Sequence, residues 1–444
     1  MTRPPSSPAT APLARRLSLA DAVFVGLGSM IGAGVFAAFA PAAASAGPAL
    51  LIGLAIAAVV ALCNATSSAQ LAARYPTSGG TYVYGRALLG PGWGFAAGWS
   101  FVVGKTASSA AMALTFAAYA VPEAWQKPAA VLAVITVTAI GYRGVTRTAR
   151  VIRVTVVLSL ITLGVVVAAG TALLVDSPGD VMLNGFGSGA SVGLWPTVLG
   201  VLQASGILFF AFAGYARIAT MGEEVRDPER NIPRAIVLAL GITIVVYAAV
   251  GTTLVSGLGA GALATSEAPL IDVVRKSGWL VVEPLVRVGA TVACLGALLG
   301  LLTGVSRTGL AMARERDLPG WLAAVHPRFS TPHRAEIALA ALVVAVVLLV
   351  DLRGAIAFSS FGVLLYYFIA HLSALRQPAD ERRYPRIIAV VGLTMCAILV
   401  VTLPVGGIVG GTLLVAAGLA GRWVGARRRG DGHRVGRTDA AGSQ

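Results

Sequence analysis

Apolar runs long enough to cross a bilayer recur along nearly the whole chain, and this recurrence constrains the fold more than any other feature. Inside hydrocarbon every backbone N–H and C=O must be satisfied within the protein, so such runs are expected to be helices. Twelve are read, near 19–41, 48–72, 91–120, 128–142, 150–175, 195–222, 233–257, 282–313, 334–351, 354–374, 386–403 and 405–423. The expected fold is all-α and polytopic, with about 12 transmembrane helices. Only 12% of the 444 residues are charged and 57% are hydrophobic, too little charge to cover a soluble domain of this size. A basic stretch with Arg15 and Arg16 precedes the first run and imitates a signal peptide, but the run is too long for a cleaved core.

The net charge of +15 could point to a polyanion, yet the basic residues sit in short loops between the runs. One set of alternate loops holds Arg74 and Arg86, Arg143 to Arg153, Arg226 to Arg234, Arg314 to Arg328, and Arg376 to Arg386. The opposite set holds only Lys127, Arg275, Lys276 and Arg353. This is orientation charge. It predicts that both termini are cytoplasmic in the cytoplasmic membrane, that the lipid bilayer is the main partner, and that nucleic acid is not one.

Cys63, Cys294 and Cys396 fall inside apolar runs, where a thiol packs as a small hydrophobe. The four histidines lie at loops or helix ends, and no metal cluster or catalytic dyad is seen, so a membrane-embedded enzyme has little support. No phosphate-binding loop marks a primary pump. No cofactor or metal is expected. What remains is a secondary transporter, or a sensor that binds a solute without turnover.

Two interruptions narrow the choice. Gly28, Gly32 and Gly34 fall in the middle of span one, each weakening a helix by about 1 kcal/mol relative to alanine. Taken alone, this cluster fits unwound backbone or close small-residue packing equally well. Span six carries a second interruption, Gly214 amid Phe209, Phe210, Phe212 and Tyr215. Spans one and six occupy the same place in two five-helix halves, and paired interruptions are the best sequence pointer to a transporter site at the midplane. Half-helix N-termini there would suit a carboxylate.

The stretch GSMIGAGVF at 28–36 resembles the first-helix motif of the amino acid–polyamine–organocation transporters. Residues 75–84, 222–233 and 306–319 resemble three further motifs of that family in the same order. The resemblance implies a leucine-transporter-type fold. It would comprise a cytoplasmic tail 1–17, inverted repeats 18–175 and 195–375, two further helices within 386–423, and a second tail 424–444. It also implies alternating access by an amino acid permease, coupled to protons or working as an exchanger. Carried over by position, Ile31, Gly32, Ala33 and Gly34 would present backbone to the substrate, opposite Phe210, Ala213 and Gly214. Ser100, Phe101 and Lys105 would contribute from span three, Leu301 from span eight, and Ser359, Ser360 and Tyr366 from span ten. Leu301 stands where some exchangers keep a tryptophan lid, and Ser159 where proton-coupled members can keep a lysine.

Lys105 lies about halfway along span three, where insertion of a lysine costs about 2.5–3.5 kcal/mol. It should therefore face a cavity or a partner, as a proton carrier or a carboxylate anchor, or else bond helix carbonyls. Arg217, one turn past Gly214, is expected to pair across an inner gate with Asp21 or Glu224, or to reach the membrane surface. Asn64 and Gln70 are expected to make interhelical hydrogen bonds, and His371 to pack at the interface.

Overall fold

The structure is a computed structural model that describes residues 17–32, 34–75, 79–143, 149–176, 194–219, 221, 224–329 and 331–439, without the side chains of 149, 176 and 424–439. Seventeen α-helices are labelled in chain order: α1 (Leu19–Ile31), α2 (Phe39–Ala46), α3 (Leu50–Arg74), α4 (Thr81–Leu88), α5 (Pro91–Ala120), α6 (Gln126–Tyr142), α7 (Ala149–Asp176), α8 (Leu194–Phe212), α9 (Ala216–Ala219), α10 (Pro228–Leu258), α11 (Ala260–Thr265), α12 (Pro269–Lys276), α13 (Glu283–Arg314), α14 (His333–Leu349), α15 (Leu352–Arg376), α16 (Arg386–Thr402) and α17 (Val405–Asp439).

The chain is an all-α polytopic membrane protein. Among the described residues nine helical stretches are long and apolar enough to cross a bilayer, and Leu19–Ile31 and Arg386–Thr402 are shorter apolar helices. Each of the twelve expected runs contains helix. The helix boundaries follow local chemistry. Ser18 and Asp21 form a reciprocal capping box at the start of α1, and Asp351 accepts the Gly354 N–H at the start of α15. Proline begins α5 and α10, where a missing N–H costs nothing.

Burial separates the centre from the rim. In α5 and α15, 78% of the apolar stretch is buried, against 11% at the start of α17. Spans three and ten are therefore the axis of the bundle. α5 packs on α15 and α13, and α3 packs on α8 and α10. Large apolar side chains such as Leu132, Val154, Leu342 and Val401 remain exposed on the outside, as a lipid-facing surface requires.

The short element expected between spans two and three is α4, which begins at Thr81. Pro76, Thr77 and Ser78 of that motif lie outside the described residues.

Candidate functional site

Both expected interruptions are present. α1 ends at Ile31, and regular α-helix resumes only at Phe39. α8 ends at Phe212 and passes through a 3-10 turn, Ala213–Tyr215, into α9. The two broken segments lie side by side and antiparallel. A Cβ built on Gly26 would meet Ile218, one on Gly214 would meet the Ser29 and Met30 backbone, and one on Gly34 would strike Ala211. Ascending positions in one segment thus face descending positions in the other, and the two breaks fall at the same level. At Gly34 and Gly214 the backbones approach too closely for any side chain, so glycine is required there for contact between the segments.

Lys105 reaches this level from α5. Only 7% of it is exposed, and its Nζ donates to the Ala213 carbonyl at 3.2 Å. That carbonyl belongs to the turn where the α-helical pattern is lost, so it is available to a side chain. Among the described residues no carboxylate pairs with the ammonium. One turn further along α5, Ser108 and Ser359 share a 2.6 Å hydrogen bond that joins spans three and ten, while Ser109 bonds back to the Lys105 carbonyl.

The other expected residues are distributed around this point. Ile31 and Gly32 end the first half-helix, and Ala33 lies outside the described residues. Phe210 is buried on α8 and Ser100 is fully buried on α5. Phe101 packs against Tyr366 with ring centroids 5.1 Å apart. Tyr366 in turn accepts the Thr81 N–H at 3.0 Å, which ties α4 to span ten and explains a tyrosine there. Leu301 is half-buried on α13 and presents no aromatic lid.

Sequence reasoning missed Tyr247 on α10. Its hydroxyl lies 2.7 Å from the Met30 carbonyl and 3.1 Å from the Ala211 carbonyl, bridging the two broken segments. Tyr119 makes a similar contact to the Phe36 carbonyl at 3.3 Å. A lone tyrosine in an apolar run is the only local signal for either, and it does not identify a partner.

At the Arg-rich end, Asp21 pairs with Arg153 at 2.6 Å, a partner on α7 that the sequence did not indicate. Glu224 lies 3.6 Å from Arg307 of α13. The Arg217 guanidinium comes close to α13 at Gly304. The second and fourth family-like motifs meet at Asp317. Its carboxylate accepts from Tyr82 at 2.9 Å and from Arg86 at 3.1 Å, and pairs with Arg422 of α17 at 3.1 Å. Burial and the Asp317 carboxylate push the Tyr82 phenol well above its ordinary range.

His371 differs from expectation: it is not interfacial but completely buried. Its Nε2 is 2.5 Å from Asn64 Oδ1 and its Nδ1 is 2.9 Å from Ser67 Oγ. This links spans two and ten, with Cys396 adding a weak bond from span eleven.

Residues 21–424 match the family model for amino acid permeases. The chain is 55% identical over 416 residues to an uncharacterized transporter of Mycobacterium tuberculosis, covering 92% of this chain and 90% of that one. It is 27% identical over 348 residues to a branched-chain amino acid permease of Bacillus subtilis, covering 73% and 72%. It is 29% identical over 388 residues to cationic amino acid transporter 7 of Arabidopsis thaliana, covering 82% and 65%.

Proposed function

This chain belongs to the amino acid permease family, and on that premise we propose that it is a secondary active transporter. It moves a neutral or acidic amino acid across the cytoplasmic membrane by alternating access, driven by protons or by exchange, with both termini in the cytoplasm. The substrate sits where the broken spans one and six meet span three.

The observation that carries this reading is the contact of Lys105 Nζ with the Ala213 carbonyl, at the level of both breaks. A buried ammonium on a neutral acceptor gains from exchanging it for a carboxylate, because charge-assisted hydrogen bonds are about twice as strong. An incoming α-carboxylate or side-chain carboxylate supplies that partner. The family relatives act on branched-chain and cationic amino acids by name. A fixed cation in the site favours the first kind of side chain over the second.

Uptake of radiolabelled L-leucine, L-glutamate and L-arginine into liposomes, at several pH values and with or without an imposed proton gradient, tests this. Leucine or glutamate should be taken up and arginine should not. If Lys105 anchors the carboxylate, Lys105→Met raises the apparent KM and Lys105→Arg largely preserves transport. If Lys105 carries the proton, Lys105→Met removes the pH dependence and Lys105→Arg transports poorly. Lys105→Met with unaltered affinity and pH profile would remove Lys105 from the mechanism.

A further inference from the structure

Glu336 is a buried carboxyl group that the transport site does not use. It sits in the first turn of α14 and is only 5% exposed. Its Oε2 has no hydrogen-bond partner among the described residues. Its Oε1 and the Thr303 methyl both lie within 3.8 Å of the point where a Gly141 Cβ would stand, which puts the carboxyl group where α6, α13 and α14 meet. Arg307 follows Thr303 by four residues and so shares that face of α13.

Its surroundings contain few other charges. α5, α6, α13 and the turn Gly320–Ala323 pack against α14. On α13, Arg307 is the cation nearest to Thr303, about 6 Å further along the helix. Arg314 lies about 10 Å further along that helix, and Glu283 and Arg287 lie about 30–36 Å away at its other end. Tyr142, whose ring meets those of His326 and His333 edge-on, ends α6, while Lys127 lies in its first turn. Lys105 of α5 is held at Ala213, and Tyr119 ends that helix. The turn has no titratable group. On α14 itself the neighbours are Arg334 and His333, whose buried Nδ1 also has no partner among the described residues.

Arg307 thus pairs with the Glu224 carboxylate and sits one turn along α13 from Thr303, on the side of the helix where Glu336 lies. Glu224 follows the broken span six, whereas Glu336 belongs to span nine. The Arg307–Glu224 contact is loose at 3.6 Å, with side chains 46% and 34% exposed, the kind of pair that exchanges readily. One guanidinium cannot fully compensate both carboxylates, and an ionised Glu336 without it would be a buried unpaired charge.

We propose that Glu336 is a proton-binding site that controls the Arg307–Glu224 gate: protonated, it leaves Arg307 on Glu224 and the gate closed; ionised, it draws Arg307 away and the gate loosens. On ionisation the carboxyl O–H bond of Glu336 breaks and the proton passes to water at the membrane surface. Acid on this side thus favours the closed gate. The inference deepens the transport reading by adding a group that links its gate to pH.

The full chain in lipid nanodiscs, without substrate, is the test. Spin labels at the exposed positions Arg230 and Arg328 report the separation across the gate. Between about pH 5 and about pH 8 the ratio of long to short distances should rise about tenfold, within the ordinary range of coupling energies. Glu336→Gln should hold the short distance at every pH, and Glu336→Asp should restore the response. Difference infrared spectra should show a protonated carboxylic acid in the wild type at low pH that is absent in Glu336→Gln. A Glu336→Gln protein that keeps the wild-type distance response, or the same infrared band, overturns the proposal. Neither measurement involves substrate, so failure to take up any amino acid would sink the transport reading and leave this one standing.

Discussion

Tyr247→Phe isolates one atom that holds the two broken spans together. The hydroxyl lies near two carbonyls, Met30 at 2.7 Å and Ala211 at 3.1 Å, but it has one proton. Its removal therefore costs about one hydrogen bond rather than two. Interhelical hydrogen bonds within membranes average about 0.6 kcal/mol and reach about 1.7 kcal/mol. This bond joins backbone carbonyls of two separate segments at the breaks, and that range applies to it. The corresponding change in an equilibrium constant is about three- to twentyfold. The ring stays, and with it the packing against Phe212 at 5.0 Å and Phe39 at 6.4 Å. Tyr247→Ala loses that packing as well and should cost about 3–5 kcal/mol. Reversible unfolding of the purified protein in mixed micelles, followed by tryptophan fluorescence, measures both variants. Equal losses for the two would show that the hydroxyl contact accounts for the whole effect of the side chain. A Tyr247→Phe protein indistinguishable from wild type would refute the bridge.

Other outcomes follow from the same geometry. Gly32→Leu should insert normally yet lose amino acid binding in isothermal titration, because its Cβ would lie 2.7 Å from the Gly28 carbonyl and 2.8 Å from that of Ala293; unchanged affinity would move the site elsewhere. Cysteines placed at the exposed positions Arg150, Arg230 and Arg383 should react with an impermeant reagent only from the cytoplasm, and labelling from outside would overturn the orientation. The Tyr82 phenol is pushed up in the folded protein, so its contribution is complete at neutral pH and is lost as pH rises above about 10. Tyr82→Phe should flatten that alkaline part of the stability profile, and an identical profile would show that the Asp317 contact is not maintained in solution.

The helical segments and both breaks were legible because their signals are local. A bilayer about 30 Å thick demands apolar runs of matching length, and proline, glycine and capping residues mark their ends within a few positions. The sequence predicts span three over 91–120, and the helix is Pro91–Ala120. The interruptions at Gly32–Gly34 and at Gly214 stood out because glycine is costly in a helix unless its backbone is needed for something else. Lys105 stood out for a similar reason: its charge is costly at the middle of a membrane wherever the chain leads.

The partners of these residues were not legible, since they lie on other segments. Lys105 and Ala213 are 108 residues apart, Tyr247 and Met30 are 217 apart, and His371 is 307 from Asn64. The sequence by itself determined that this chain crosses a membrane many times, where its helices break, and which charge is out of place. Only the tertiary structure decided that the breaks meet antiparallel at one level, that Tyr247 bridges them, that Asp21 takes Arg153, and that His371 is enclosed. The physical reason is that hydrophobic length and helix propensity act along the chain. A hydrogen bond or ion pair acts over about 3 Å between whichever groups the packed helices bring together.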